Sequence, residues 1–394
     1  MTRLLALTLG MFAIGTGSFV MAGILPGVAA SLGVEMGAAA RMITAFALTY
    51  ALLTPLAATF TGRLPRKQAM LGGLLLFSLG HLVAAVAPSL PLALAGRALS
   101  GLGSAIFMPL AGASVTALVP REHWGRGLAV VMAGLSGATA LGAPLGTLLG
   151  NGGEAWRLSM WFVSALGLLA MSGIAVFLPE IPGQGSLRLR DRLAPIADTH
   201  ILGTLLTTLL IMVGAFTVHS YSSLVFRQAT QGDAALLAGL LAIWGLAATV
   251  GNLASGSLTD RLGGRRIINI GLLLLIADFA LLPWSSRQLT TTVLALVIWG
   301  FCGWGTLIPL QHRLVNAAPG SAAVVLGLNT TAIYLGVSAS AAMGGMLVSR
   351  LEPLYLGLVA AVFVLAGLVT AECVIRLAGS PSHGSDALNE GRAS

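Results

Sequence analysis

Charged side chains are scarce in this sequence. Only 9% of its 394 residues are Asp, Glu, Lys or Arg, whereas an ordinary soluble domain has ~25%. Hydrophobic residues make up 56%, and the mean hydropathy is +0.92. A water-soluble fold of this size must cover its surface with polar groups, so it cannot hide this much apolar area. The composition therefore argues against a soluble enzyme.

Cysteine and the common catalytic patterns are also rare or missing. Cys302 and Cys373 are the two cysteines, and both lie in apolar stretches, which indicates neither a disulfide framework nor a metal site. The sequence has no nucleotide-binding loop, no metal-ligand cluster and no nucleophile–base spacing. We therefore expect no enzymatic activity and no cofactor, and we expect a gradient, of protons in the leading interpretation, to supply the energy.

Long apolar runs are what the sequence has instead. Twelve of them are about 20 residues long, enough to cross ~30 Å of hydrocarbon as a helix. A porin-type barrel would show short alternating segments, so we predict an all-α membrane protein with 12 transmembrane helices. The predicted spans are 4–25, 38–60, 69–88, 91–115, 126–150, 156–178, 200–222, 235–257, 266–284, 290–311, 322–347 and 353–376.

Basic residues indicate how these spans are oriented. Of the 21 Lys and Arg, 15 fall on the side that holds both termini, 5 fall on the other side, and Arg97 lies inside span 4. Because Lys and Arg collect on the cytoplasmic side, we predict a multi-pass inner-membrane protein with both termini in the cytoplasm. Topology then explains the net charge of +8. We expect a monomer in the lipid bilayer, with no nucleic-acid partner.

The chain divides into two similar halves. A basic loop follows the second span of each half, TGRLPRKQAM at 61–70 and TDRLGGRRII at 259–268. Tandem halves are expected to be related by an axis along the membrane normal and to rock about a site between them. We predict an N-terminal six-helix bundle at 1–178, a cytoplasmic linker at 179–199, a C-terminal six-helix bundle at 200–377 and a disordered tail at 378–394.

Four local motifs carry a family resemblance. Three of them are GTGSFVMAGILP at 15–26, the set Arg97, Gly101 and Gly103, and LGAPLGTLLG at 141–150. The fourth is the basic loop, which the second half carries as Gly256, Asp260, Arg261, Gly263 and Arg265 or Arg266. The first half keeps Arg63, Arg66 and Lys67 of this loop but has Gly62 at the position of the acid. With these motifs in order, the chain resembles the major facilitator superfamily, and within it the twelve-helix drug and sugar efflux branch (drug:H+ antiporter-1-like). The resemblance implies two six-helix bundles related by a pseudo-two-fold axis.

The resemblance also implies a gate at the cytoplasmic loops. Asp260 can accept charge-assisted hydrogen bonds from an arginine and a facing helix N-terminus, whereas Gly62 cannot. We expect an asymmetric latch, unless the basic residues only fix topology. In span 5, Pro144 permits a bend, and the glycines form a face for sliding or for plain close packing. The predicted gating residues are Arg63, Arg66, Lys67, Gly142, Pro144, Gly146, Asp260, Arg261 and Arg265.

Proton coupling is harder to place, because few acids lie inside the spans. Relatives often carry a carboxylate in span 1, where this chain has Ser18. The resemblance implies that Arg97 acts in proton coupling or substrate contact, unless span 4 begins later and Arg97 reaches the outer surface. Asp278 is either a proton carrier or a structural acid. We predict Arg97 and Asp278 as coupling residues, with His81 and His219 as further titratable groups that are more typical of structure.

Polar and aromatic side chains inside the spans are expected to turn away from lipid and line a central cavity. Few of them are charged, which favours a small neutral, amphiphilic or sugar-like organic substrate. Trp244 and Trp299 have packing between helices as an alternative. The predicted cavity residues are Thr16, Ser18, Tyr50, Met108, His219, Tyr221, Trp244, Asn252, Trp299, Trp304, Asn329 and Tyr334.

Together these features predict a secondary transporter that expels a small organic solute by alternating access, with proton antiport as its energy source. The sparse intramembrane acids keep a proton-independent facilitator or importer of the same fold open. A non-transporting membrane sensor or structural protein is the alternative from another class, and the duplicated halves argue against it.

Overall fold

The computed structural model describes residues 1–183, 185 and 188–379. These residues form helices and no strands, and twelve of the helices are long and apolar enough to cross a membrane. The prediction of an all-α protein with twelve spans is therefore confirmed. The predicted disordered tail lies outside the described residues from position 380 onward.

Six spanning helices form the first half of the molecule. Helix α1 is interrupted at Val20 and continues as Met21–Ser31, and α5 consists of two α-helical pieces joined by a π turn. The helices are α1 (Thr2–Phe19), α2 (Met36–Thr61), α3 (Arg66–Val86), α4 (Leu90–Leu118), α5 (Trp124–Gly137 and Ala143–Leu149, with the π turn Ala138–Gly142 between them) and α6 (Trp156–Phe177).

Six further helices form the second half. Helix α10 is interrupted at Thr306, so each half contains at least one broken spanning helix. The helices are α7 (Thr199–Ser220), α8 (Ala234–Leu262), α9 (Gly264–Ser285), α10 (Leu289–Gly305, continued as Leu307–Ala317), α11 (Ala322–Leu347) and α12 (Leu356–Gly379). Each half therefore contributes six spanning helices, as predicted.

Local sequence explains several helix boundaries. Asp198 and Asp233 precede α7 and α8, and their carboxylates accept backbone hydrogen bonds of the first turn, the shortest at 2.7 Å and 2.6 Å. Gly263 has a φ of +84°, which favours glycine and lets α8 reverse directly into α9. In α5 the π turn ends two residues before Pro144, which lacks the N–H that a continuous α-helix would use.

The linker packs on the first half. The backbone N–H of Arg66 donates to the carbonyl of Ile181 at 2.8 Å. A short linker helix, Leu189–Leu193, places Arg192 so that its guanidinium donates to the carbonyl of Ala58 at 3.1 Å. Because partial burial surrounds it with apolar groups, the pKa of Arg192 is lowered. We call the end of the bundle that carries the linker the linker end, and the opposite end the far end.

Two pairs of spanning helices make the most extensive contacts between the halves, α2 with α11 and α5 with α8. Near the far end, a Cβ added to Gly37 would lie 2.6 Å from the carbonyl oxygen of Gly345. Midway along α5 and α8, a Cβ on Gly245 would collide with the carbonyl of Thr139 in the π turn. The halves therefore touch backbone to backbone, and the far end is closed between α2 and α11.

The glycines of α5 serve a different contact. A Cβ on Gly142 would collide with Thr16, and one on Gly146 would collide with Val20; both partners belong to α1 of the same half. Pro144 is buried between these two glycines. Gly142 and Gly146 therefore pack closely against α1 within one half, whereas both the π turn and the segment Ala143–Leu149 after it contact α8 of the other half.

Candidate functional site

Aromatic rings from both halves meet between α1, α7, α8 and α10. Phe19 of the first half lies 6.1 Å from Phe216, 5.9 Å from His219 and 6.2 Å from both Trp244 and Trp304, measured between ring centroids. Phe19 is thus inserted among rings of the second half. The aromatic box, as we call this cluster, consists of Phe19, Phe216, His219, Trp244, Trp299 and Trp304.

Unpaired polar atoms lie inside the aromatic box. His219 is 4% exposed and Trp244 is 2% exposed, and their rings are 4.6 Å apart. Neither ring nitrogen of His219 has a hydrogen-bond partner, and neither has the Nε1 of Trp244. A buried polar group without a partner costs ~1–3 kcal/mol. The aromatic box therefore combines apolar faces with donors and an acceptor that a neutral organic ligand can satisfy.

A second aromatic contact joins the halves beside the aromatic box. The rings of Tyr50 and Tyr334 are 4.0 Å apart, and Phe46 lies 6.3 Å from Tyr334. The hydroxyl of Tyr50 donates to the Sδ of Met108 at 3.4 Å, and the hydroxyl of Ser18 interacts with Tyr334. The structure thus brings these predicted cavity residues together at the interface between α1, α2, α4 and α11.

Arg97 lies directly behind this second contact. It is fully buried two turns into α4, so the alternative in which it reaches the outer surface is wrong. Its guanidinium donates to the carbonyls of Met42 and Gly17 at 3.2 and 3.1 Å. The guanidinium carbon also lies 4.5 Å from the centre of the Phe46 ring. These contacts are the reason that a cation can be buried here at all.

Asp278, the second predicted coupling residue, lies elsewhere. It is buried in α9, next to Cys302 of α10, and its Oδ2 has no hydrogen-bond partner. The following residue, Phe279, contacts Trp299 of the aromatic box at 5.4 Å. Asp278 itself is therefore one layer behind the aromatic box, inside the second half, and has no contact with Arg97.

Three predicted cavity residues are used for packing within one half. Thr16 faces Gly142 and donates to the carbonyl of Phe12. Asn329 accepts a hydrogen bond from Thr208 at 2.9 Å, which ties α11 to α7. Tyr221 donates to the carbonyl of Ala341 at 2.7 Å near the far end. The prediction could not distinguish these residues from cavity-lining ones, because a polar group can avoid lipid either by lining a cavity or by making a hydrogen bond inside a bundle.

The other predicted residues lie nearer the interface. Asn252 is partly exposed and follows Gly245 by seven residues, so it shares the face of α8 that meets α5. Trp304 is partly exposed and closes one side of the aromatic box, whereas Trp299 is buried behind Trp244, 5.5 Å away.

The predicted gating residues form contacts only in part. Arg66 is buried and donates to the carbonyl of Ala113 at 2.7 Å, joining α3 to α4. Asp260 is exposed and has no hydrogen bond or ion pair in the described part of the chain. Arg265 pairs with Glu372 of α12. In this arrangement of the halves the second basic loop is therefore held by Glu372, and the latch predicted for Asp260 is not formed. Exposed or partly exposed side chains complete the predicted gate: Arg63, Lys67 and Arg261.

Clefts open at both ends of the interface. A cleft of about 490 Å³ at the far end includes Gly23 and Gly27, one and two turns beyond Phe19. At the linker end, a smaller cleft of about 80 Å³ between α2, α4 and α11 includes Arg192. The far-end cleft therefore begins about one turn beyond Phe19 along the chain.

Two important residues were missing from the predicted site. Phe19 was overlooked because the predicted set consisted mainly of polar residues, tyrosines and tryptophans, although its position next to Ser18 in the span 1 motif was a usable signal. Thr139 contributes through its backbone carbonyl, which residue type does not reveal.

Known proteins resemble the whole chain. The Major Facilitator Superfamily profile matches residues 7–341. The chain is 29% identical to Inner membrane transport protein YdhP of Escherichia coli over 346 residues, 88% of each protein. It is 30% identical over 369 residues to Chloramphenicol resistance protein of Streptomyces lividans, 91% of this chain and 93% of that one. It is also 25% identical to Probable sugar efflux transporter of Helicobacter pylori over 357 residues, 91% of each.

Solved structures show the same fold. The nucleoside transporter NupG superposes with a TM-score of 0.73 at 12% identity, over 95% of this chain and 98% of that one. The human organic anion transporter MFSD10 gives 0.73 at 19% identity, over 94% and 99%. Together with the twelve spans and the site between two bundles, these likenesses show that the chain belongs to the major facilitator superfamily, as a membrane transporter and not an enzyme.

Proposed function

We propose that this transporter exports a small neutral or amphiphilic organic solute by alternating access, in exchange for protons. The observation that carries the proposal is the aromatic box, which spans both halves and holds three buried ring nitrogens without partners in His219 and Trp244. Aromatic faces stack on planar or sugar-like surfaces, while the unpaired nitrogens give orientation. The site contains no fixed charge, which disfavours multivalent ions.

The arrangement of the interface supports alternating access. Phe19 of the first half inserts among the rings of the second half, and Gly37 meets Gly345 nearer the far end. Rocking of the halves would separate α2 from α11 at the far end and withdraw Phe19 from the second half. The ligand would then leave toward the far end, which we assign to the outside because the linker end holds most basic residues.

The relatives support export. One is named for chloramphenicol resistance and another for probable sugar efflux. We propose the same direction for this chain, acting as a monomer and without a cofactor. The driving force would be the proton gradient, because the sequence has no nucleotide-binding loop.

Uptake into everted membrane vesicles tests this proposal. Radiolabelled chloramphenicol and arabinose serve as probes, and respiration acidifies the vesicle interior. We expect at least one probe to accumulate, and an uncoupler to abolish accumulation. His219→Ala should reduce uptake about tenfold, equivalent to one lost hydrogen bond of ~1.4 kcal/mol, whereas His312→Ala, at an exposed position, should not.

The alternatives give different results in the same vesicles. Equilibration of a probe without accumulation, unaffected by the uncoupler, would show a facilitator. The absence of any flux would refute transport of these solute classes. An undiminished rate in His219→Ala would remove the aromatic box from the proposal.

A further inference from the structure

His81 of α3 is held in one tautomer. Its Nδ1 lies 2.9 Å from the carbonyl oxygen of Phe77, which can only accept a hydrogen bond, so Nδ1 carries the proton. The Nε2 atom therefore carries a lone pair. The Nη1 of Arg97 lies 3.1 Å from it and donates to it. His81 is fully buried in this arrangement and is neutral.

Arg97 uses this contact to tie three helices together. The same Nη1 also donates to the carbonyl of Gly17 in α1, and Nε donates to the carbonyl of Met42 in α2. The next residues of α1 are Ser18 and Phe19, both of which contact the second half. The position of Arg97 therefore decides the position of the two helices that close the interface.

Arg97 lacks the partner that a buried cation normally has. In the described part of the chain the ion pairs are Arg157 with Glu154 and Arg265 with Glu372, and Arg97 is in neither. Its Nη2 is buried without any acceptor. A neutral imidazole thus stands where a carboxylate would stabilise the guanidinium far more strongly. The contact can be broken by adding one proton to the imidazole.

We propose that His81 is the proton-binding residue of the transport cycle, acting by positioning Arg97. A proton on Nε2 removes the acceptor and puts a second positive charge about 3 Å from the guanidinium. Repulsion then displaces Arg97 from the carbonyls of Gly17 and Met42, so that α1 and α2 can shift relative to α4 and to the second half. By linkage, low pH favours the arrangement in which the far end is open. This inference rests on the proposed proton exchange.

Apart from Arg97, the charged groups on the described helices packed around His81 lie away from its ring. Arg97 is the charged side chain of α4, and α1 has no titratable side chain between Arg3 and the end of its continuation at Ser31. On α6, Arg157 lies toward the far end, where it donates to the carbonyl of Ala85 and pairs with Glu154. On α3 itself, Arg66 and Lys67 lie at the opposite end of the helix.

A distance measurement between spin labels tests the proposal without any substrate. Glu35 and Ser349 are exposed at the far end, beside the contact of Gly37 with Gly345. Cysteines at 35 and 349, in a Cys302→Ala, Cys373→Ser background, carry the labels in proteoliposomes. Between about pH 8 and about pH 5, the range in which histidine titrates, we expect the long-distance population of the wild type to rise about tenfold.

His81→Gln should make this population independent of pH, because the glutamine oxygen accepts from Arg97 but does not titrate. His81→Asn serves as a second variant if His81→Gln unfolds. His312→Gln is the matched control, and its long-distance population should rise at low pH as in the wild type. A wild-type response in a folded His81→Gln protein, or a wild type that does not respond to pH, would overturn the proposal.

Transport assays of His81→Gln distinguish failure of this inference from failure of the proposed function. If proton-driven uptake persists in His81→Gln, the function stands and His81 is not the proton-binding residue. If the label distance responds to pH through His81 but no probe accumulates against a gradient, the switch stands and the proposed exchange fails.

Discussion

At the scale of single residues, buried polar groups define the interface. Arg97 satisfies the carbonyls of Gly17 and Met42 and the Nε2 of His81. Its planar guanidinium does this because its donors point in several fixed directions, while its face packs on Phe46. Lysine has neither property, so the contact depends on the shape of arginine as well as on its charge.

Replacement of Arg97 is therefore expected to destabilise the protein. Arg97→Ala removes three hydrogen bonds that a charged donor makes, at ~1.5–3 kcal/mol each, so we expect the free energy of unfolding to fall by ~3 kcal/mol or more. Arg97→Lys should recover less than half of this loss. Thermal unfolding in detergent measures the effect, with Arg63→Ala at an exposed position as the control. A melting temperature of Arg97→Ala equal to that of wild type would contradict the assigned contacts.

At the scale of helices, α5 contacts two different helices, α1 of its own half and α8 of the other half. Gly142 and Gly146 let it approach α1 within the first half, while the π turn brings the Thr139 carbonyl to Gly245 of α8. Pro144 follows the turn and cannot donate the backbone hydrogen bond that would restore a regular α-helix. The irregular segment thus lies at the helix crossing that joins the halves.

Enlarging Gly245 should separate α5 from α8. The Cβ of Gly245→Ala would collide with the backbone of Thr139, which cannot yield as a side chain does. We expect probe transport to fall about tenfold, the effect of ~1.4 kcal/mol on one arrangement of the halves. Gly239→Ala, on the same helix with open space around its Cβ, is the control and should transport normally. Equal rates for the two variants would show that this crossing does not restrain the halves.

At the scale of the whole molecule, most charged side chains lie at the ends of the helices, and the aromatic box lies between the two halves. The linker end carries the basic loops, with Arg265 bound to Glu372 and Asn269 also donating to that carboxylate. In the first half, Arg66 of the basic loop donates to the backbone carbonyl of Ala113, and Arg192 of the linker donates to the carbonyl of Ala58. The two basic loops are therefore anchored by different means, although their sequences are similar.

The orientation of the molecule can be measured directly. Glu122 is exposed at the linker end and Glu352 at the far end. In a background without Cys302 and Cys373, a membrane-impermeant maleimide should label Glu352→Cys in intact cells. It should label Glu122→Cys only after the membrane is everted or opened, because the positive-inside rule puts the linker end in the cytoplasm. The reverse pattern would invert the proposed direction of export.

Much of the fold could be predicted from the sequence, and less of the site. Apolar runs define spans whatever their neighbours are, so all twelve were found. The sequence showed that Arg97 would avoid lipid, but only the structure decided that it turns inward and does not reach the outer surface. Thr16, Asn329 and Tyr221 show the limit of this reasoning. Their polar groups avoid lipid by bonding within a bundle, and only the contacts distinguish that solution from lining a cavity.

The sequence alone determined that lipid surrounds this chain, that twelve helices cross it, and that two similar halves face each other, since each follows from local composition and length. Only the tertiary structure decided that Phe19 enters the aromatic rings of the other half, that His81 accepts from Arg97, and that Glu372 rather than Asp260 holds Arg265. These pairs join residues far apart in the chain, and their geometry depends on how helices pack, which no local pattern encodes.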